Sequence, residues 1–223
     1  LCRELALEKP VGSPWDVIER LRTAVVAPLL LEPHVTRVLV SPFGQLSFVP
    51  LGLLLSGREV AYVPSGTILG LLAEERPKRG ERVLALGDPE YLRLARLPGS
   101  ADEARAVGDR VLLREDATEA NLANALGDRD RWRAVHFACH GRADCEMPMR
   151  SRLALTPDGG HDGFLTALDV CRMRVPADLV TLSACETAKG KLYEAEGIVG
   201  LARAFMFAGA PRVLCSLWKV DDE

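Results

Sequence analysis

The sequence predicts an α/β protein in which a mainly parallel sheet is covered by helices on both faces. Short, continuously apolar segments such as residues 83–86 and 179–182 are typical of strands buried on both sides. Segments with a helical period of apolar residues alternate with these strands in the second part of the chain. Together these two observations favour a parallel sheet over an all-β or all-helical fold.

Composition limits the classes of function. With 48% hydrophobic and 26% charged residues, the 223-residue chain has the composition of a globular protein with a sizeable core. A net charge of −3, with arginines scattered among acids, disfavours a nucleic-acid-binding protein. No apolar run reaches the roughly 18 residues of a membrane-spanning helix, and the first residues do not resemble a signal peptide. We therefore expect a cytoplasmic protein with no membrane span, and Leu1 in place of Met indicates a fragment of a longer chain.

The first predicted element is an amphipathic helix over residues 15–31. Ser13 is expected to be its N-cap, and Pro14 occupies the first helical position. Trp15 and Leu21 belong to its predicted apolar face. This helix is expected to pack with its apolar face on another part of the protein.

Strand signals follow this helix. A β-branched strand over residues 36–40 precedes a turn and the segment 46–50, a pattern typical of a hairpin or a tight strand pair. Another strand is expected over residues 59–63, followed by a helix that ends near Glu75. The polar segment 76–81, which contains Pro and Gly, is the best candidate for an internal boundary.

The second part has the more regular pattern. Its strands are expected at residues 83–86, 111–113, 153–156, 179–182 and 213–220 and in the segment that precedes His140. Its helices are expected at residues 100–107, 118–126 and 196–207, with Ser100 and Thr118 as N-caps and Gly209 at the C-terminal end of the last. A turn and a short helix are expected over residues 163–173. Three acids, residues 221–223, follow the last strand and indicate that a further helix begins there. The sequence is therefore expected to stop short of the end of the domain.

Two of these strands lead to residues with reactive side chains. Cys185 follows the strand 179–182, and His140 follows another buried strand 45 residues upstream (185 minus 140). The carboxyl ends of parallel strands are where ligands and catalytic groups collect. If the two strands are parallel neighbours, thiol and imidazole emerge side by side. A histidine can then activate the thiol, and the backbone N–H groups of Gly141 and Cys185 can form an oxyanion hole.

A purely structural interpretation stays open for this pair. Spacing alone leaves Cys185 as a possible buried structural thiol. His136 lies an even number of residues from His140 in the same strand, and it is expected to be a core histidine bonded to backbone.

The remaining cysteines indicate neither a disulfide framework nor a metal site. Cys139, Cys171 and Cys215 lie in apolar or strand-like segments and are expected to be buried core thiols. A zinc site at Cys139, His140 and Cys145 is disfavoured because the C-x-x-C spacing is missing and adjacent strand residues face opposite ways. We expect no metal and no cofactor.

Two motifs resemble a known family. The segments His136-Phe-Ala-Cys-His-Gly141 and Leu182-Ser-Ala-Cys-Glu-Thr-Ala188 are similar to the paired signatures of the CHAT domain, a relative of caspases and separases among cysteine peptidases. The resemblance extends to residues 41–51, 62–65, 196–205, 208–210 and 216–222.

This resemblance implies a caspase-like fold and a cysteine endopeptidase. Residues 1–80 would form a degenerate caspase-like part and residues 81–223 the catalytic part, truncated at its C-terminus. His140 and Cys185 would be the catalytic dyad. Relatives of this kind often carry tetratricopeptide repeats, so the resemblance also implies a helical-repeat partner region in the same longer chain.

The expected substrate is a protein or peptide, but its preferred residue has two interpretations. Asp221 and Asp222 resemble the separase pattern, in which an acid receives a basic side chain before the cut, although they could simply open a helix. Arg142, Arg150 and Arg152 could instead favour an acidic substrate, or could be solvated surface residues.

Two other functions compete with a regulated endopeptidase. One is a catalytically inactive CHAT-fold module that only binds a protein. The other is a nucleotide-binding domain, which ranks lower because the phosphate-binding glycine motifs are missing from the sequence. The glycine-containing loop 189–196 is a candidate gate over the cleft, or a plain surface loop.

Overall fold

A computed structural model describes residues 13–42, 46, 49–74, 79–144, 146–183 and 194–215, with only the backbone described at residues 14 and 194–199. The chain divides into two compact units, Leu1–Arg76 and Pro77–Glu223. The division falls inside the polar segment predicted as a boundary. The roles assigned to the two parts, a degenerate caspase-like part over residues 1–80 and a catalytic part over residues 81–223, stay predictions.

The first unit contains short helices and two strands among its described residues. In chain order they are helix α1 (Pro14–Leu21), a π-helical turn (Arg22–Val26), a 3₁₀ turn (Ala27–Leu29), strand β1 (Arg37–Val40), helix α2 (Leu51–Leu54), strand β2 (Glu59–Tyr62) and helix α3 (Gly66–Glu74). The predicted N-cap is confirmed, because the Ser13 hydroxyl accepts a hydrogen bond from the backbone N–H of Trp15 at 3.3 Å.

The predicted apolar face of α1 is partly wrong. Trp15 is 76% exposed, whereas Val17 and Leu21 are buried in the core of the unit. Residues 17 and 21 are four apart and share one face of a helix, while residue 15 lies on nearly the opposite face from residue 17. The buried stripe therefore runs through Val17, and the large side chain of Trp15 points to solvent.

The predicted hairpin is also wrong. Strand β1 pairs with β2 in parallel, from Arg37 opposite Glu59 to Val40 opposite Tyr62. Of the predicted second strand, residues 46–50, the described residues 46, 49 and 50 lie outside any strand. Val49 is fully buried beside α2, so burial at a turn, and not strand alternation, accounts for its apolar side chain.

The second unit holds the larger set of elements. The structure gives strand β3 (Val83–Pro89), helix α4 (Pro98–Val107), β4 (Arg110–Arg114), α5 (Glu119–Gly127), β5 (Ala134–Ala138), β6 (Gly141–Arg142), β7 (Arg152–Ala154), β8 (Phe164–Thr166), α6 (Ala167–Arg172), β9 (Val180–Ser183), α7 (Glu194–Phe207) and β10 (Val213–Cys215).

Its main sheet is parallel, as predicted. Within the described residues the strand order is β10-β9-β5-β3-β4, and every neighbouring pair runs in the same direction. All seven residues of β3 are buried, in keeping with a strand covered on both faces. Phe137 in β5 is 1% exposed and lies against Phe205 of α7, with ring centroids 5.3 Å apart. This contact joins the central strand to the helix that covers it.

Two helix ends follow the sequence prediction and one does not. The Thr118 hydroxyl accepts the Asn121 N–H at 3.1 Å and caps α5, and Gly209 adopts φ +118° just beyond α7. Helix α4 begins at Pro98, two residues before the predicted cap. The Ser100 hydroxyl instead accepts the backbone N–H of Asp88 at 2.8 Å and so ties the helix to the end of β3.

A small antiparallel sheet was not predicted. Strands β6, β7 and β8 pair in sequence order within the described residues, directly after His140. The predicted strand 153–156 overlaps β7, but β6 was not predicted and β8 falls where a turn and short helix were expected, because each of these strands is only two or three residues long. No described helix combines the length and the apolar character that crossing a bilayer requires.

Candidate active site

The strand that precedes His140 and the strand that precedes Cys185 are parallel neighbours, as predicted. The register of β5 and β9 places Val135 opposite Val180 and Ala138 opposite Ser183. The carboxyl ends of both strands therefore meet at the same edge of the sheet. His140 follows Ala138 by two residues, and in the sequence Cys185 follows Ser183 by the same number.

Three residues of the predicted site lie outside the described residues: Cys185, Asp221 and Asp222. The roles of the nucleophile and of the two substrate-binding acids therefore stay predictions. The described part of the site consists of His140, Gly141 and the residues that surround them.

The backbone of His140 is fixed on both sides. Its N–H donates to the Tyr91 hydroxyl at 3.2 Å, and its carbonyl accepts the Ala154 N–H at 2.7 Å. The Tyr91 ring also lies against the imidazole, with centroids 4.8 Å apart and planes tilted by 59°. The half-buried imidazole is thus held in place by the loop after β3 and by the small sheet.

The imidazole has a defined tautomer in this geometry. Its Nε2 lies 2.8 Å from the carbonyl oxygen of Ala95. Because a carbonyl oxygen only accepts, Nε2 must carry the proton, and in neutral imidazole Nδ1 is then bare. In this arrangement Nδ1 is free to accept a proton, and the Ala95 carbonyl orients the ring.

The loop that carries Ala95 is fastened by a buried carboxylate. Asp88 is 1% exposed and adopts φ +43° at the end of β3. It accepts from Arg96 at 2.5 Å, while Arg114 lies 3.4 Å away and also bonds Glu90 at 2.6 Å. Arg96 is the neighbour of Ala95, so this ion-pair cluster holds the carbonyl that orients His140.

The ion pairs of Asp88 should make the free energy of unfolding depend on pH. Burial works to raise the pKa of Asp88, but the Arg96 hydrogen bond and the charges of Arg96 and Arg114 outweigh it and hold the pKa below its usual value. Because the folded-state pKa is lowered, the stabilisation is present above about pH 4 and is lost as the pH falls through the folded-state value. We expect Asp88→Asn to lower the free energy of unfolding by about 1–3 kcal/mol at pH 7, and by progressively less below about pH 4.

Urea unfolding at pH 7, 5 and 3.5 measures this difference. Asparagine tolerates a positive φ, so the backbone of residue 88 can be kept. Asp102→Asn is the control, because Asp102 is an exposed helix residue paired with Arg105 at 3.0 Å and its removal is expected to matter little. An Asp88→Asn deficit of equal size at pH 7 and pH 3.5 would contradict the electrostatic account.

Two further residues of this segment, His136 in β5 and Cys139 just after it, have structural roles. His136 is buried, as predicted, but its Nε2 lies 3.0 Å from a carboxylate oxygen of Glu103 in α4 and not on backbone. Cys139 is buried as well, and burial raises the pKa of its thiol to about 12. Such a thiol stays protonated at neutral pH, so Cys139 is a core residue and not a second nucleophile.

Gly141 is buried and begins β6, opposite Leu153. Its predicted part in an oxyanion hole stays a prediction, because the second donor, the N–H of Cys185, lies outside the described residues.

Sequence reasoning missed Tyr91 and Ala95. The available signal was weak: both follow β3, whose carboxyl end lies at the same edge as that of β5. A backbone carbonyl such as that of Ala95 has no side-chain signature at all.

Two of the three arginines considered for acidic substrates reach the site. Arg142 and Arg152 line a pocket of about 110 Å³ that also includes His140. Arg150 lies in a 3₁₀ turn, Pro148–Arg150, and does not line this pocket.

A parallel sheet that carries a His-Gly pair at its carboxyl edge, beside the strand that leads to a cysteine, defines a caspase-like α/β domain. The CHAT domain model matches residues 16–223, and the chain belongs to this family. The family assignment made from the two motifs is thereby confirmed.

The chain is also similar to a much longer protein in mammals. It is 46% identical over 57 residues to Tetratricopeptide repeat protein 28 from Mus musculus. The matched segment covers 26% of this chain and 2% of that protein. The Homo sapiens protein of the same name is 45% identical over 57 residues, with the same shares. The matched segment therefore spans only a small part of these relatives.

Proposed function

We propose that this protein is a regulated cysteine endopeptidase that cleaves a protein substrate through Cys185 and His140. The observation that carries the proposal is the register of β5 and β9. Ala138 lies opposite Ser183, and the two reactive residues follow these positions at equal distance in the sequence. The bare Nδ1 implied by the Ala95 contact supports a base that can accept a thiol proton.

The reaction proceeds in two steps. The Cys185 thiol gives its proton to Nδ1 of His140, and the sulfur attacks the peptide carbonyl carbon. As the C–N bond breaks, the imidazolium returns the proton to the leaving amine, which leaves a thioester. Water then adds with His140 as base, the C–S bond breaks, and the acid product and free thiol are released.

Charge develops on the carbonyl oxygen in both steps. The N–H groups of Gly141 and Cys185 are the proposed donors to this oxygen, and the loss of one such donor typically costs about 3 kcal/mol of transition-state stabilisation. The proposed preference for a basic residue before the cut depends on Asp221 and Asp222, which would form a charge-assisted bond to Arg or Lys.

The setting of the domain is part of the proposal. The name of the mammalian relatives supports a tetratricopeptide region in the same longer chain, which would hold or sense a partner. Our proposal includes regulation of the endopeptidase by such a region and a cytoplasmic location of the protein.

A labelling experiment tests the nucleophile. A peptide with an acyloxymethyl ketone after an arginine alkylates an activated active-site thiol, and intact-mass measurement counts the adducts. We expect one adduct on the wild type and on Cys139→Ala, and none on Cys185→Ala. The Cys139 control is matched because this thiol lies next to His140 in sequence but is buried. No adduct on the wild type with any basic, acidic or neutral residue before the ketone would favour the inactive binding module.

A further inference from the structure

The pocket beside His140 has two positively charged side chains and no acidic residue among the described residues that line it. Among the described residues, its lining consists of Leu94, His140, Gly141, Arg142, Arg152, Ala154 and Phe164. Strands β6 and β7 bring Arg142 and Arg152 directly opposite each other. Like charges in this position repel and destabilise a strand pair.

Nothing in the described residues neutralises these two arginines. Neither forms an ion pair or hydrogen bond with a described carboxylate, and the Arg152 guanidinium lies 4.3 Å above the Phe164 ring. Other arginines of the unit contrast with them, since Arg96 and Arg114 both reach Asp88. An anion between Arg142 and Arg152 would replace repulsion by two charge-assisted contacts.

The pocket also has the size and walls for a short acidic side chain. Its volume is about 110 Å³, and Leu94 and Phe164 supply apolar surface on which methylene groups can lie. His140 forms part of the same lining, so a group in the pocket lies next to the imidazole.

The position of the pocket relative to the sheet indicates which substrate residue enters it. Apart from His140, its described lining comes from the loop after β3 and from the small sheet, and no described residue of β9 belongs to it. In the main sheet, β3 and β9 lie on opposite sides of β5. In the proposed reaction the sulfur approaches from the β9 side and His140 protonates the leaving amine, so the residue that carries this amine emerges on the pocket side.

We propose that Arg142 and Arg152 form a subsite for the carboxylate of a Glu or Asp that immediately follows the scissile bond. The placement after the cut rests on the proposed peptidase function, whereas binding of the acidic side chain does not. The subsite is separate from Asp221 and Asp222, which were predicted to act on the residue before the cut. A substrate with a basic residue before the cut and an acidic one after it would satisfy both.

Peptide binding tests the acid preference without catalysis. In the Cys185→Ala protein, fluorescence anisotropy is measured with labelled positional peptide libraries in which each position in turn is fixed as Glu or as its isostere Gln. We expect Glu at one position to bind about tenfold more tightly than Gln, and this ratio to fall to about one in Arg142→Gln/Arg152→Gln. Arg150→Gln is the matched control and should keep the preference. A Glu-to-Gln ratio within about twofold at every position, or a preference that survives the double change, overturns the subsite.

Cleavage by the wild type tests the placement. We expect kcat/KM to be about tenfold higher for a peptide with Glu directly after the cut than for the same peptide with Gln. When Glu and Gln are compared at the position before the cut, Glu should give no higher kcat/KM. A Glu preference before the cut overturns the placement. If the wild type neither cleaves nor is labelled by the ketone, the peptidase proposal and the placement both fail, and the anisotropy ratio alone decides whether the arginines bind a carboxylate.

Discussion

Replacing His140 by alanine is expected to lower kcat/KM for peptide cleavage by about 10²–10⁴-fold, with little loss of folded protein. The change removes both the base that takes the Cys185 proton and the acid that protonates the leaving amine. The fold should tolerate it, since the imidazole is only half buried and the two backbone hydrogen bonds of His140, to Tyr91 and Ala154, do not need the side chain.

Steady-state cleavage of the best library peptide measures the effect, together with circular dichroism to confirm the fold. Because the two dyad members act as a unit, His140→Ala/Cys185→Ala should be about as inactive as Cys185→Ala alone. His161→Ala is the control: this histidine lies in an exposed loop, bonded to Asp158 at 2.8 Å, and its loss should leave kcat/KM unchanged. If His140→Ala retains activity within about tenfold of the wild type, His140 is not the general base.

Much of the scaffold of this site could be predicted because it depends on local patterns. The caps at Ser13 and Thr118 use side chains within three residues of their partners, and the conformation of Gly209 follows directly from the helix end. The parallel arrangement of β5 and β9 could be predicted because both strands are mostly apolar and short, which is typical of strands in a sheet covered on both faces.

The errors occurred where a distant contact decided the outcome. Serine is a common helix-capping residue, but the Ser100 hydroxyl accepts a hydrogen bond from the backbone N–H of Asp88, 12 residues away in the sequence. The turn between β1 and Val49 has residues typical of a hairpin and gives no sign that β1 pairs in parallel with the more distant β2. The Ala95 carbonyl beside His140 illustrates the same limit, because backbone groups contribute chemistry that no residue type reveals.

Gly87→Ala is expected to have the largest effect on stability and to weaken the site as well. An added Cβ would lie 2.3 Å from the carbonyl oxygen of Ser100 and 2.8 Å from Cβ of Ala104, so α4 would have to move away from β3. We expect the free energy of unfolding to fall by about 3 kcal/mol, which for a chain of this size lowers Tm by roughly 6–12 °C. The displaced helix carries Ser100, which bonds Asp88, so the loop that holds Ala95 against His140 should loosen and kcat/KM should fall too.

Calorimetry and cleavage assays measure both effects of Gly87→Ala. Gly127→Ala is the matched control, since a Cβ at this helix end meets no atom within 4 Å and the change should be neutral or slightly stabilising. Equal Tm values for the two variants would show that α4 can shift freely on β3, and the link between this helix and the position of His140 would then be wrong.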